Sequence, residues 1–93
     1  MKMQVGNLYI WNPIGSAIRE MKLGHKTYVG NRANIWDRNH YGPELKSDQV
    51  FCVLEALGPF YEEMDYKILT IQGDVCWIRV EKCFEKDWMK ISS

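Results

Sequence analysis

The chain has 93 residues and a mass of 11.0 kDa, with 12 Lys+Arg against 12 Asp+Glu, so its formal charge is zero and its pI about 6.7. That balance argues against attachment to nucleic acid mainly by phosphate neutralisation, which needs a basic excess. A hydrophobic fraction of 46%, with four Trp, five Tyr and three Phe, is too rich for a disordered chain. No apolar run reaches the roughly 18–20 residues of a membrane helix, and the opening residues do not read as a signal peptide. The expectation is one soluble domain over residues 1–93 with no membrane contact.

Taken in chain order, Val5 to Trp11 is rich in β-formers and stops at Asn12-Pro13, which predicts a strand. Ser16 then stands before Ala17 to Leu23, with Ile18 and Met21 on one helical face and Gly24 as a terminator, which predicts a short helix. His25 to Asp48 holds Gly30, Gly42, Pro43 and five Asn or Asp positions, so turns dominate. Thr27-Tyr28-Val29 and Ala33-Asn34-Ile35-Trp36 could make an irregular hairpin around Gly30-Asn31.

Val50 to Leu57 reads as a strand ended by Gly58-Pro59, but it is apolar on both faces, so alternation does not orient it. Tyr66 to Ile71 is a strand and Gln72-Gly73-Asp74 a tight turn. Val75 to Lys82 follows, with Cys76, Ile78 and Val80 on one face and Trp77, Arg79 and Glu81 on the other. Cys83 to Asp87 predicts one helical turn before a last strand, Trp88 to Ile91. Cys52, Cys76 and Cys83 are odd in number and match no metal-ligand spacing, which points to reduced thiols in a cytosol.

This order resembles an SH3-like small barrel whose last strand returns beside the first. Tyr66-Lys67-Ile68-Leu69-Thr70, Gly73-Asp74 and Trp77-Ile78-Arg79-Val80, together with Val5-Gly6-Asn7-Leu8-Tyr9, are similar to segments of small SH3-like proteins of bacteriophages. The expected fold is therefore mainly β: a barrel of about five strands with a long first loop, about residues 12–48, carrying the short helix. The loop is longer than a minimal barrel needs, and rigid barrels display function on such loops. Such a fold does not by itself specify an activity.

The insertion carries Tyr28, Arg32, Trp36, Arg38, His40 and Tyr41, residue types that interfaces favour. They form either a partner-binding surface or the loop's own apolar anchors. Residues 19–48 hold six positive and four negative side chains, with aromatics between them, as on a single-strand or RNA platform. Residues 50–66 hold Glu55, Glu62, Glu63 and Asp65 without Lys or Arg, so Glu62 and Glu63 are candidate contacts for a basic partner. The alternative is a solvated acidic loop guarding a sheet edge.

No zinc, P-loop, nucleophile-elbow or dinucleotide signature appears, and no catalytic residue, metal or cofactor is assigned. The resemblance implies a non-catalytic phage accessory protein that binds and modulates or inhibits a host protein, in host takeover or anti-defence, in the host bacterial cytoplasm. The alternatives are a nucleic-acid or signalling-nucleotide binder and a structural phage component that forms homo-oligomers.

Overall fold

The computed structural model describes residues 3–13, 20–24, 28–29, 32–33 and 41–92, with side chains described over 3–13 and 45–91. Nine strands lie among them: β1 (Leu8–Trp11), β2 (Glu20–Gly24), β3 (Tyr28–Val29), β4 (Arg32–Ala33), β5 (Tyr41–Lys46), β6 (Val50–Phe60), β7 (Glu63–Thr70), β8 (Val75–Glu81) and β9 (Trp88–Ser92). A 3₁₀ helix, Lys82–Asp87, joins β8 to β9. Seven strands form one antiparallel sheet in the order β5-β2-β8-β7-β6-β1-β9, and β3 pairs with β4 as a separate ribbon. The protein is mainly β, and β9 returns beside β1.

The sheet's pairing is open, with β5 and β9 at its ends, but it curls enough to bring residues of both end strands into one core. Leu45 from one end strand and Trp88 from the other belong to a single buried cluster. A backbone hydrogen bond from the Asp48 N–H to the Trp11 carbonyl, 3.0 Å, ties the start of β6 to the end of β1.

The inner face follows the period-2 alternation of the strands. Tyr9 and Trp11 of β1, Phe51 and Val53 of β6, Tyr66 and Ile68 of β7, and Cys76, Ile78 and Val80 of β8 are all buried. Phe51 stacks near Tyr9 at 6.3 Å and meets Trp88 edge-on at 5.9 Å, while Trp88 also lies against Trp11. Met3 closes this core, its N–H donating to the Tyr66 hydroxyl at 2.9 Å, and the Gln4 N–H donates to the Tyr9 hydroxyl at 2.7 Å. Two tyrosines thus bury their rings while their hydroxyls satisfy backbone donors.

Three expectations need correction. The helix expected over Ala17 to Leu23 is not formed where the chain is described, since Glu20–Gly24 is strand β2. Met21 and Leu23 alternate with Glu20 and Lys22, a strand period, and a two-turn helix is marginal against pairing with β5. The register sets Glu20 opposite Lys46 and Lys22 opposite Glu44, positions of opposite charge. The insertion of about 12–48 is accordingly no plain loop, because it contains β2, β3, β4 and β5. Ser16 and Ile18 lie outside the described residues.

Gly58-Pro59 does not end the third expected element either: β6 runs on to Phe60. Gly58 takes φ 120°, the Gly58–Pro59 bond is cis, and the register shifts between Leu57 and Phe60, so the dipeptide makes a bulge. A Cβ at position 58 would lie 3.1 Å from the Met64 sulfur and from the Phe60 nitrogen, a tight fit on a positive-φ backbone that favours glycine.

The outer face is buried over one half. Trp77, 1% exposed, packs against Leu57 as a second small cluster, with Gly24 of β2 opposite it. Beside it the Asp65 carboxylate, fully buried, receives the Arg79 Nε at 2.7 Å and Nη2 at 3.2 Å from the directly opposite position of β8. A fork-to-fork pair of this kind is strong once formed, but each charge depends on the other for compensation.

Asp65→Leu is therefore expected to cost about 3–5 kcal/mol, because it removes one partner of a buried ion pair. Asp65→Leu combined with Arg79→Met should cost less than Asp65→Leu alone, as read from urea-unfolding midpoints of the three proteins.

Candidate partner-binding surface

The two longest strands of the inner sheet, β6 and β7, are joined by only two residues, Tyr61 and Glu62, with Phe60 paired to Glu63. A turn this short between antiparallel strands needs a positive φ, and Gly or Asn is the usual residue. Here Tyr61 takes it, at φ 58°, with its side chain 97% exposed. A bulky residue in the left-handed region costs on the order of 1–3 kcal/mol relative to an unstrained backbone. Tyr61 adds no packing to the core to offset that cost.

The tip is fixed from below. The Lys82 N–H donates to the Glu62 carbonyl at 2.9 Å, so the start of the 3₁₀ helix clamps the turn. Gly58, Pro59 and Glu62 are exposed around the ring, while Phe60 and Glu63 are half-buried. Glu63 stands directly opposite Glu81 of β8, and Glu55 lies on the same face of β6. Asp65, the fourth acid of the stretch, is held by Arg79 and does not contribute an open carboxylate. The result is an aromatic tip on a hairpin held by the Glu62–Lys82 hydrogen bond, with carboxylates beside it.

The other candidate residues fall elsewhere. Tyr28 lies on β3 and Arg32 on β4, where the register pairs Tyr28 with Ala33 and Val29 with Arg32. Tyr41 opens β5, opposite Gly24, on an end strand of the large sheet. Trp36, Arg38 and His40 lie outside the described residues. Glu62 and Glu63 are brought together at the hairpin tip, in the interior of the sheet order rather than at its edge, so guarding an edge is not their role. Tyr61 is the residue that sequence reasoning passed over. Its signal was a two-residue connection with neither Gly nor Asn in it.

The thiols are free, Cys52 half-buried, Cys76 buried and Cys83 exposed. Burial, with Asp74 adding to it, pushes the Cys76 thiol up to about 12, so it is a packing group and not a nucleophile. Burial also raises the Tyr66 hydroxyl above its ordinary value, more than the Met3 N–H hydrogen bond lowers it. The Cys83 thiol lies 3.7 Å from a Glu81 carboxylate oxygen. His25 and His40 lie outside the described residues.

An open depression of about 390 Å³ is lined by Met3, Gln4, Val5 and Ala56. Its lining offers no charged side chain to orient a ligand. Among the described residues no group of three or more His, Cys, Asp or Glu is placed to hold a metal, and no helix is long and apolar enough to cross a membrane. No protein-family model, curated protein or solved structure matches the chain.

At pH 8 a thiol reagent should label Cys83 rapidly and Cys76 only after unfolding, with Cys83→Ser removing the fast phase. Cys76 and Tyr66 stay protonated in the folded chain at pH values where their unfolded counterparts ionise. The unfolded chain then binds fewer protons, so stability is complete below pH 9 and falls as pH rises from 9 toward 12. Urea midpoints at pH 8 and pH 10 should show the decline, and Cys76→Ala should make it shallower.

Proposed function

We propose that the chain is a non-catalytic binding protein that inserts its β6–β7 tip into a site on a partner protein and modulates or inhibits it. The observation that carries this reading is Tyr61, 97% exposed at φ 58° on a clamped turn. Strain kept at a residue that adds nothing to the core is the pattern of a recognition site. Tyrosine is also a favoured anchor, combining contact area, few rotamers and a hydroxyl. Glu62 and Glu63 give the partner's chemistry, a pocket with apolar walls and a basic rim. Carboxylates at the tip disfavour phosphate, which puts nucleic acid and nucleotides behind a protein partner.

The curled antiparallel sheet with β9 beside β1 supports the finer reading of an SH3-like small barrel. On the resemblance to bacteriophage proteins of that type, the partner is a host protein in the bacterial cytoplasm and the outcome is host takeover or anti-defence. Tyr28, Arg32, Trp36, Arg38, His40 and Tyr41 of the insertion are proposed as a second contact area.

The test is affinity capture of the tagged protein from a bacterial lysate treated with nuclease. A single stoichiometric protein is expected, its capture lost with Tyr61→Gly and weakened at least tenfold with Glu62→Lys. Tyr61→Gly relieves the positive φ, so its urea midpoint should equal or exceed that of the parent. Capture that survives Tyr61→Gly, or that disappears on nuclease treatment, overturns the reading.

A further inference from the structure

The outer face of the sheet is covered at one end and open at the other. Beyond the Glu55 to Lys67 pairing, the register sets Val75, Leu69, Cys52 and Leu8 side by side across β8, β7, β6 and β1. The next row joins Val50, Ile10 and Met89 across β6, β1 and β9. Neither row contains a charged residue. Val75 is 45% exposed, Leu69 37% and Met89 45%, and at the margins Leu54 is 38%, Ile71 64% and Ile91 46%.

These exposures leave roughly 500 Å² of contiguous apolar surface, at the upper end of the largest patch a monomer ordinarily shows. We propose that this half of the outer face is the interface between two copies of the chain, packed face to face about a two-fold axis. Three observations select a second copy as the occupant.

The first is area. Fully covered, two such patches would remove up to roughly 1,000 Å² from water, the lower bound for a specific interface. The second is charge. A two-fold contact sets residue i of one copy against residue j of the other and j against i, so a charge buried in the patch would need an opposite charge at the facing position. The two rows are uncharged, and the whole chain is neutral, so nothing opposes self-association at long range. The third is the sheet edge. β9 carries exposed Lys90, and the register shifts between Leu8 and Tyr9 where it pairs with β1, two devices that discourage strand addition. The faces are therefore the surfaces that meet, at the spacing of roughly 10 Å usual for stacked sheets.

Tyr61 and Leu69 stand at opposite ends of the same hairpin, eight residues of extended chain or roughly 26 Å apart. The dimer thus leaves the tip free, and its existence does not depend on the binding reading. Sedimentation equilibrium and light scattering of the purified chain between about 1 and 200 µM should show a reversible monomer–dimer equilibrium, reaching twice 11.0 kDa. Leu69→Glu with Met89→Glu should weaken association at least tenfold while circular dichroism and the melting transition are retained. Ile71→Lys, in the exposed turn, serves as a milder variant that leaves both strands intact and should weaken it less. A monomer at every concentration overturns the proposal, and so does a dimer untouched by the double variant, because it must use another surface. A patch that binds lipid vesicles or a different protein without self-association overturns it as well.

Discussion

Phe51 sits where the two ends of the chain meet. It contributes its ring face to Tyr9 and an edge contact to Trp88, and Trp88 in turn lies against Trp11. Tyr9 and Trp11 come from the first strand, Trp88 from the last and Phe51 from the longest, so four aromatic rings fix the neighbours β6-β1-β9. Each such ring buries on the order of 150–250 Å², and offset or edge-on pairs add to that burial. Hydrogen bonds alone do not choose among antiparallel partners. The aromatic contacts do, and the return of β9 to β1 follows from them. Leu45 from the far end strand enters the same cluster, so this contact also sets the curl of the sheet.

What sequence made legible follows from where local chemistry and tertiary structure agree. The strands from Tyr66 onward and the Thr70 to Asp74 turn rest on alternation and on Gly73 at φ 88°, both local features. The turn's Thr70 hydroxyl accepts the Asp74 N–H, and its carbonyl accepts the Gly73 N–H. By contrast, Ala17 to Leu23 satisfies helix capping and strand alternation at once, and partner strands from distant sequence decide between them. The orientation of β6 was equally out of reach, because Val50, Cys52 and Leu54 are as apolar as Phe51 and Val53. Only the register shows that the inward set is Phe51 and Val53, with a shift between Val53 and Glu55. Trp77 and Arg79 belong to the same class. Alternation put them on the outer face, but nothing local says that this half of the face is buried.

The candidate site was half legible for a different reason. Acid at Glu62 and Glu63 is visible as composition, whereas the conformation of Tyr61 is a consequence of how β6 and β7 register. Phe60 opposite Glu63 leaves two residues for the turn, and the bulge at Gly58 fixes which two. A shift of one residue would place Phe60 or Glu62 at the position that Tyr61 holds and turn each strand's faces over. Gly58, at φ 120° with little room for a Cβ, therefore governs the display of a residue three positions away.

The hairpin thus divides its labour along its length. At the tip, strain and exposure coincide on one aromatic residue with carboxylates beside it. In the middle, the Asp65–Arg79 pair and Trp77 lock the outer face. At the far end, uncharged rows run across β8, β7, β6, β1 and β9. The buried ion pair in the middle contributes little net stability over an apolar equivalent, yet it penalises any register that separates its partners. Register is what both the tip and the apolar rows depend on. A fork-to-fork pair at directly opposite positions of β7 and β8 is suited to that task, since a one-residue slip would send one partner to the inner face. The pair's value to the molecule lies in specifying alignment, and the two surfaces at the ends of the hairpin inherit their geometry from it.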